Sequence, residues 1–590
     1  MCGIAGGINF GSEKRSVDKT IVSHLNDLQR QRGPDGAGLW VSDDRRIVLG
    51  HRRLAIIDTG SSGSQPMEDF SRRWVITFNG EIYNYRELRS ELALRGHVFA
   101  THSDTEVLIK VIAQWGEAGL SKLRGMFAFA LWDSENGELW LARDPYGIKP
   151  LYVSERGGIL WFASRARALA DCAPVDTRRD AAALTGFYVW GHVPEPFSWW
   201  AGITMFPAGH VQRIKLGGMV SSPRPFAKIE DAFIQPPVPL LPGELRRLLL
   251  DSVSHHLVSD VPVGIFLSAG IDSNVIAALA AELDAPLSTI TLAFNEYEGT
   301  KDDEATLAEA AAELLKSDHV TVRIGREEFV DTIDHFIRSM DQPSIDGLNT
   351  YLISRAAAKQ GLKVALSGLG GDELFGGYPS FGQIPKLLKW GRHISKHEGL
   401  SRAVQRTIQI IGWRVVPPKV AGLLTHSGDL ASAYLLRRAL YLDDELELLL
   451  DESWLRDGQE KLSTHHALTR SIPEGSTCHA QIAALESAWY MRNQLLRDSD
   501  WSSMAHGLEV RVPFVDFSLL QRLAPAIASD IPPTKLDLAA CAPRLPQRIR
   551  TRPKTGFTTP VRKWVGASRG VAQRGLRGWA SEVHRFSRGS

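Results

Sequence analysis

The fold of the second half of this 590-residue chain is predicted from one stretch, Val263-Gly264-Ile265-Phe266-Leu267-Ser268-Ala269-Gly270-Ile271-Asp272-Ser273. Its apolar first part is typical of a buried strand, and the small residues after it predict a tight turn. Asn274 to Leu283 continues as a helix rich in alanine and leucine. Because backbone N–H groups and the helix dipole favour negative charge at a helix N-terminus, the turn is predicted to bind an anion. The stretch lacks the Gly-x4-Gly-Lys-Ser/Thr spacing of a P-loop.

Strand and helix patterns alternate after this stretch. Thr289 to Phe294 predicts a strand, Thr306 to Leu315 a helix, and Val364 to Leu366 another strand. Alternation of this kind indicates a parallel sheet with helices on both faces. From about Leu388 onward the pattern is largely helical. We therefore predict an α/β domain with a helical C-terminal region.

The first two hundred or so residues predict a different architecture, in which short apolar runs are separated by turn residues. Asn136-Gly137 between two such runs indicates a hairpin, and Asp104 to Trp115 predicts a helix. This pattern favours a layered α+β domain. The apolar runs are Ile47 to Leu49, Trp74 to Phe78, Met126 to Trp132 and Leu139 to Ala142.

Composition excludes several classes of protein. The chain has 68 basic and 67 acidic side chains, a formal charge of +1, so no global field steers it toward nucleic acid or membrane. Its four cysteines include no Cys-x-x-Cys pair, which argues against a zinc site, and four cysteines are too few for a disulfide scaffold in a chain of this length. No apolar run of about 18 residues and no signal-peptide pattern occur. We expect a cytoplasmic protein with no nucleic-acid or membrane partner, and a homodimer stays open.

Cys2 follows the initiator methionine and precedes small residues. Removal of Met1 would put a thiol and a free α-amine on one residue. The α-amine, with a pKa of about 7.7 to 8.0, is a suitable base at neutral pH for forming the nucleophilic thiolate. The alternative is a small buried structural thiol, which is the commoner role of a lone cysteine.

Four motifs around Cys2 resemble those of the class II glutamine amidotransferases over roughly residues 2 to 210. They are Arg32-Gly33-Pro34-Asp35-Gly36, His51-Arg52-Arg53-Leu54, Asn79-Gly80-Glu81-Ile82-Tyr83-Asn84 and Ser103-Asp104-Thr105-Glu106. The resemblance implies an α+β sandwich of the N-terminal nucleophile type. It also implies that Cys2 is the nucleophile, and that Asn79 and the backbone N–H of Gly80 form the oxyanion hole. The glutamine-binding residues that it implies are Arg53, Asn79, Glu81 and Asp104.

The turn after Leu267 resembles the pyrophosphate loop of ATP-pyrophosphatases, normally Ser-Gly-Gly-x-Asp-Ser. Ala269 stands where that loop has glycine, the residue that a positive φ would demand. The run from Ser367 to Tyr378, Ser-Gly-Leu-Gly-Gly-Asp-Glu-Leu-Phe-Gly-Gly-Tyr, supports the same resemblance. It implies ATP as a cofactor and Mg²⁺ held by Asp272 and Asp372. The ATP- and pyrophosphate-binding residues that it implies are Ser268, Gly270, Asp272, Ser273, Leu292, Ser367, Gly368 and Lys554.

Taken together, the two halves resemble the glutamine-hydrolysing asparagine synthetase family over nearly the whole chain. Met491 to Asp498, Leu508 to Asp516 and Arg552 to Phe557 match the family's C-terminal patterns. The resemblance implies glutamine hydrolysis, acyl-adenylate formation and ammonia transfer to a carboxylate substrate, with aspartate as the default acceptor. The implied domains are a glutaminase domain at 2–215, a proline-rich linker at 216–241, an ATP-binding domain at 242–565 and a basic, partly disordered tail at 566–590.

Three departures from the family's pattern keep alternatives open. Leu369 stands where aspartate-using enzymes have a catalytic-site glutamate, and Gln342 stands in place of a glutamate in Asp-Glu-Pro. Two carboxylates are therefore expected to be missing beside the acceptor pocket, which puts aspartate in doubt as the acceptor. Arg165 and Arg167 replace the family's Glu and Lys near the expected domain interface. A ligase of the same fold could act on a sugar uronic acid, a cell-wall precursor or a secondary metabolite. A bare glutaminase and a β-lactam-synthetase-type cyclase are the remaining alternatives.

Overall fold

The computed structural model describes residues 2–13, 15–218, 220–283, 286–300, 302–394, 419, 422–423, 426–552, 559–560, 564 and 576–588. The N-terminal part contains two six-stranded antiparallel sheets, whose strand orders are β10-β8-β9-β1-β3-β2 and β12-β11-β7-β6-β5-β4. The first sheet consists of β1 (Gly3–Asn9), β2 (Gly36–Val41), β3 (Ile47–Arg53), β8 (Tyr152–Arg156), β9 (Ile159–Ala163) and β10 (Thr204–Met205). The second consists of β4 (Met67–Glu68), β5 (Trp74–Ile82), β6 (Gly125–Asp133), β7 (Glu138–Arg143), β11 (His210–Lys215) and β12 (Arg224–Pro225).

The two sheets face each other across one apolar layer. Ile4 and Ile8 of β1 belong to the same buried cluster as Val75 of β5 and Ala128 of β6. Helices cover the outer faces, with α1 against β1 and β3, and α3 against β5. This arrangement is the predicted α+β sandwich. The helices of this part are α1 (Lys19–Leu28), α2 (Tyr85–Leu94), α3 (Asp104–Trp115), α4 (Ala166–Cys172), α5 (Ala181–Trp190) and α6 (Ile229–Ala232).

The C-terminal part is built on a parallel sheet of order β15-β14-β13-β16-β17. The chain leaves β13 toward β14 and β15 on one side and later returns to add β16 and β17 on the other. The loops after β13 and β16 therefore diverge, and such a switch point leaves a crevice at the carboxyl ends of the strands. The strands are β13 (Val263–Phe266), β14 (Ser288–Phe294), β15 (Asp318–Ile324), β16 (Val364–Leu366) and β17 (Glu509–Arg511).

Helices surround this sheet and make up most of the described residues after β16, as the sequence predicts. A π-helical segment, Glu486–Leu496, lies between α18 and α19. In the described parts of the chain, no helix is both long enough and apolar enough to cross a membrane. The helices are α7 (Glu244–His256), α8 (Ile271–Glu282), α9 (Ala305–Leu314), α10 (Arg326–Ser339), α11 (Leu348–Lys359), α12 (Gly371–Leu374), α13 (Ser380–Ile394), α14 (Leu430–Arg438), α15 (Asp443–Leu446), α16 (Glu452–Leu462), α17 (Thr464–Arg470), α18 (Cys478–Leu485), α19 (Arg497–Met504), α20 (Phe517–Ile527), α21 (Lys535–Ala540), α22 (Gln547–Arg550) and α23 (Leu576–Arg588).

Two segments add detail to the sequence-based expectations. Within the stretch expected to be a basic, partly disordered tail, Leu576–Arg588 forms helix α23, whose Trp579 and Val583 are buried in a cluster that also includes residues of α5. The patterning of those apolar residues, in a segment dominated by its arginines, is what the composition-based prediction overlooked. Part of the predicted linker also belongs to the sandwich, because Arg224–Pro225 pairs with His210 and Val211 at the start of β11 as an edge strand.

Candidate functional site

The structure brings Cys2 against the second sheet of the sandwich. Cys2 directly precedes β1, which lies between β9 and β3, and its side chain is buried. Its backbone N–H donates to Asn79 Oδ1 at 3.0 Å. Because Oδ1 is used in this way, the amide of Asn79 keeps its Nδ2 donor, which is buried and has no hydrogen-bond partner among the described residues. Burial raises the pKa of the Cys2 thiol, while a backbone hydrogen bond from Leu54 and the charge of Arg53 oppose this.

Gly80 is required by the packing of β5 against β6. A Cβ at this position would lie 2.1 Å from the carbonyl oxygen of Met126, so no other residue fits without moving the strand. The neighbouring side chains of Asn79 and Glu81 both point to the same face, since successive side chains of a strand alternate. This alternation explains why an Asn-Gly-Glu sequence delivers an amide and a carboxylate together.

The carboxylates of Glu81 and Asp104 are both buried close to this amide. Asp104 is the first residue of α3, and the N-cap Ser103 accepts from the N–H of Thr105. The Oδ2 of Asp104 accepts from the N–H of Ile82 at 3.0 Å. Burial raises the pKa of Asp104 to about 6. Burial and the carboxylates of Glu509 and Asp104 raise the pKa of Glu81 well above its usual range. Glu81 Oε2 has no hydrogen-bond partner among the described residues.

Arg53 ends β3 and is held by the loop that follows. Its guanidinium donates to the carbonyl oxygens of Ile57 at 3.3 Å, Gly60 at 2.6 Å and Asp58. The loop therefore fixes the guanidinium near Cys2, on which its charge acts. The predicted glutaminase residues are thus gathered at one place in the sandwich.

A second site lies at the switch point of the parallel sheet, in a cavity of about 550 Å³. The loops after β13 and β16 form its floor, and α11 contributes part of the wall. Among the residues that the structure describes, every residue predicted to bind ATP or Mg²⁺ lines this cavity: Ser268, Gly270, Asp272, Ser273, Leu292, Ser367, Gly368 and Asp372. Lys554 lies outside the described residues, so its predicted role stays a prediction.

The loop after β13 is organised around Ser268. Its hydroxyl lies 2.9 Å from Ser273 Oγ and accepts from the N–H of Gly270 at 3.1 Å. Gly270 is the N-cap of α8 and makes no side-chain capping bond, which leaves the first turn open to an anion. Ala269 is buried and is not among the residues with a positive φ, so alanine fits the backbone at the position where the similar loop has glycine.

Asp272 and Asp372 face each other across the cavity floor with a cation between them. Lys535 Nζ lies 2.8 Å from Asp372 Oδ1 and also pairs with Asp272 Oδ1. Glycines make this approach possible, because a Cβ at Gly377 would lie 2.0 Å from Asp372 Oδ1 and one at Gly371 would lie 2.7 Å from Asp272 Oδ1. The two carboxylates converge on one ammonium group. The same pair suits a divalent cation, whose remaining coordination positions phosphate oxygens would fill.

Lys535 was missed by the sequence analysis, as were other charged residues of the cavity wall. Lys535 is the first residue of α21, and locally it looks like any lysine at a helix start. Glu304, which pairs with Arg552 at 3.5 Å, and Glu373, whose Oε1 accepts from Tyr378 at 2.9 Å, also line the cavity. The acidic run around Asp372 was the available signal for Glu373.

The two departures considered for the acceptor pocket have different outcomes. Leu369 lines the cavity. Gln342, contrary to the expectation, is not among the described lining residues but lies between the domains. Its Nε2 donates to Tyr152 at 2.8 Å, and its Oε1 accepts from the N–H of Trp199 at 2.9 Å. Gln342 therefore contacts the N-terminal domain through both atoms of its amide.

The arginine-rich departure lies at the domain interface. Arg165 precedes α4, and Asp341 of the second domain accepts from the N–H groups of Ala166 at 3.0 Å and Arg167 at 3.1 Å. Arg165 Nε lies 3.6 Å from the same carboxylate. The Asp341 carboxylate therefore stabilises the start of α4 across the interface.

A buried ion pair ties Cys2 to the second domain. Arg32 donates to both carboxylate oxygens of Asp500, at 2.7 and 3.1 Å, and its Nε donates to the carbonyl oxygen of Cys2 at 3.1 Å. Both side chains of the pair are 4% exposed. Forked geometry of this kind is the strong form of an arginine–carboxylate contact.

Comparisons with known proteins agree with this two-site architecture. Residues 1–226 match the glutamine amidotransferase domain family, and residues 244–588 match the asparagine synthase family. A putative asparagine synthetase [glutamine-hydrolyzing] of Mycobacterium tuberculosis is 33% identical, with 96% of this chain and 89% of the relative covered. Asparagine synthetase [glutamine-hydrolyzing] 1 of Bacillus subtilis is 32% identical, with 96% and 88% covered. The solved structure of a B. subtilis glutamine phosphoribosylpyrophosphate amidotransferase matches at 16% identity and a TM-score of 0.30, with 57% of this chain and 93% of that chain covered. The chain belongs to the glutamine-hydrolysing asparagine synthetase family.

Proposed function

We propose that this chain makes asparagine from aspartate, using ammonia released from glutamine at Cys2 and ATP to activate the acceptor carboxylate. The observation that carries the proposal is the convergence of the predicted ATP residues on one cavity at the switch point of the parallel sheet. Crevices at such points are the usual ligand sites of α/β sheets. The family membership supplies the coarser activity, a glutamine-dependent carbon–nitrogen ligase.

In the glutaminase half, the proposal assigns the nucleophile to Cys2 after removal of Met1. The freed α-amine accepts the thiol proton, and the thiolate attacks the glutamine amide. Asn79 Nδ2 and the N–H of Gly80 then stabilise the oxyanion. Arg53 binds the α-carboxylate of glutamine, while Glu81 and Asp104 bind its ammonium group. Asn79 Nδ2 and Glu81 Oε2 are buried and have no hydrogen-bond partner within the described part of the chain, and this supports the assignment, because such atoms are costly unless a ligand satisfies them.

In the synthetase half, the loop from Ser268 to Ser273 and the pair Ser367 and Gly368 bind the phosphates of ATP. Asp272 and Asp372 would hold Mg²⁺, which would neutralise phosphate charge during attack by the acceptor carboxylate. Lys535 adds a fixed positive charge beside both aspartates. Lys554 is proposed to stabilise the departing pyrophosphate. The resulting acyl-adenylate must be shielded from water until ammonia arrives.

The acceptor's amine needs a carboxylate that Leu369 does not supply. Glu373 lines the same cavity, and its Oε2 is buried without a hydrogen-bond partner among the described residues. We assign the aspartate ammonium to Glu373. The variant Glu373→Gln should raise the KM for aspartate by about tenfold or more, the loss of one charge-assisted hydrogen bond. Glutamate release from glutamine should not change, and an unchanged KM for aspartate would refute this assignment.

The proposal is tested by following pyrophosphate and asparagine together. Purified protein is incubated with ATP, Mg²⁺ and glutamine, with and without aspartate. Aspartate-dependent pyrophosphate release with matching asparagine is expected. In a Cys2→Ala control, glutamine should no longer support synthesis, whereas ammonium chloride should. Glutamate release without asparagine would remove aspartate as the acceptor and favour a different carboxylate, the alternative that Leu369 raises.

A further inference from the structure

Arg511 contacts one residue of each site. Its carbonyl oxygen accepts from the N–H of Ser367 at 2.8 Å, and Ser367 begins the loop that forms part of the ATP cavity floor. Its side chain crosses the domain interface, where Nη2 lies 3.7 Å from Glu81 Oε2. Arg511 thus has its backbone at one site and its guanidinium at the other.

The guanidinium is held almost entirely by the synthetase domain. Nε donates to Glu509 Oε1 at 2.5 Å, and Nη1 donates to the carbonyl oxygens of His256 at 2.9 Å and Val258 at 2.6 Å. Nη2 has no hydrogen-bond partner among the described residues and faces Glu81 Oε2, which also has none. A gap of 3.7 Å is too long for a hydrogen bond but within the range of an ion pair. A small shift of β17 would close or widen it.

The charge of Arg511 matters because Glu81 is crowded by acids. Burial and the carboxylates of Glu509 and Asp104 raise the pKa of Glu81, and the Arg511 guanidinium opposes them. A neutral Glu81 would lose most of its attraction for an ammonium group. The side chain that keeps Glu81 ready for glutamine is therefore fixed to the loop that is proposed to bind ATP.

We propose that Arg511 is a positioning residue that couples the two sites: occupancy of the Ser367 loop moves its guanidinium relative to Glu81 and so changes the affinity for glutamine. This inference rests on the proposed function, because it needs Glu81 to bind the glutamine ammonium. Coupling between two sites is reciprocal, so glutamine should change nucleotide affinity by the same factor. A factor of roughly five or more is typical of such coupling.

The experiment measures glutamate release against glutamine concentration, with and without ATP, Mg²⁺ and aspartate. In the wild type, the KM for glutamine should change by roughly fivefold or more when these are added. The double variant Arg511→Met with Glu509→Gln neutralises both members of the buried Arg511–Glu509 ion pair, so neither is left without its counter-charge. Its KM for glutamine should no longer respond to nucleotide, with kcat little changed. Arg511→Lys keeps the charge and should recover part of the response.

A matched control is the double variant Arg124→Met with Asp516→Asn. Arg124 and Asp516 also form a buried ion pair between the domains, at 2.5 Å, but neither is bonded to Glu81. This control should keep the wild-type response, and ammonia-dependent asparagine synthesis checks that each variant is folded.

Two outcomes would overturn the inference without touching the proposed function. One is a wild-type enzyme that hydrolyses glutamine but whose KM for glutamine is the same with and without nucleotide. This result needs no variant. The other is a double variant at Arg511 and Glu509 that keeps the nucleotide response. Absence of any glutamate release from the wild type would overturn the proposed function and this inference together.

Discussion

At the scale of single residues, Asn79 performs two tasks with one amide. Its oxygen accepts from the backbone N–H of Cys2, and its nitrogen has no hydrogen-bond partner in the part of the chain that the structure describes. We expect Asn79→Ala to lower kcat for glutamine hydrolysis by about 10²–10³, the usual cost of one oxyanion donor. Ammonia-dependent synthesis should remain at the wild-type rate. Equal losses with glutamine and with ammonia would contradict an oxyanion role.

Asp104 predicts a pH dependence. Its pKa is raised to about 6, so the side chain is protonated below that pH and loses its attraction for the glutamine ammonium. The KM for glutamine should therefore rise as pH falls through about 6. Asp104→Asn should have a high KM at every pH, without this acid limb. Steady-state kinetics between pH 5 and pH 8 measure both, and an acid limb that survives in the variant would assign it to another group.

At the scale of elements, the loop after β16 depends on a left-handed backbone at Gly370. Its φ is +94°, and a Cβ would lie 2.6 Å from Val515 Cγ2. Gly370→Ala should lower the apparent melting temperature and abolish most ammonia-dependent synthesis, while glutamine hydrolysis persists. Gly361→Ala is a matched control, because Gly361 has a φ of +80° but open space around it. This variant should lose only the free energy that a left-handed backbone costs a residue with a Cβ, about 1–2 kcal/mol. It should keep ammonia-dependent synthesis.

Helix α23 should contribute to stability through its apolar face. Trp579 is buried. His584, on the same helix as Trp579, has its Nδ1 2.5 Å from the hydroxyl oxygen of Tyr188 on α5. Replacing Trp579 with alanine should destabilise the protein by about 3–5 kcal/mol, the usual cost of removing a buried tryptophan. Arg585→Ala, on the exposed face, should change stability by about 0.5 kcal/mol at most. Thermal unfolding compares the two, and equal effects would show that the helix does not dock as described.

At the scale of the whole molecule, the Arg32–Asp500 pair connects the nucleophile to the synthetase domain. Asp500→Asn would leave a buried guanidinium without its counter-charge, a loss of about 3–5 kcal/mol. We expect kcat for glutamine hydrolysis to fall because Arg32 also holds the carbonyl of Cys2. Lys363→Gln breaks another interdomain pair, with Asp35, that is partly exposed and should matter little. Similar losses in both variants would assign the effect to domain contact in general.

Local sequence patterns predicted much of the fold and many residues of the two sites. Strands β5, β6, β13, β14 and β16, the hairpin at Asn136-Gly137 and the helix from Asp104 follow from periodicity and turn residues. Strand β1 was not predicted, because glycines leave no alternation to detect. Gly6 is nevertheless needed there, since a Cβ would lie 2.4 Å from the ring of Phe162. Such a contact depends on a residue far along the chain.

The order of the motifs, the two fold classes and the residue types at each site follow from the amino-acid sequence. Which distant charges meet depends on tertiary packing. Lys535 lies between Asp272 and Asp372, Gln342 lies at the interface instead of the cavity, and Arg511 approaches Glu81. The physical reason is that strand and turn signals are local, whereas an ion pair between domains depends on how complete, separately patterned layers pack together.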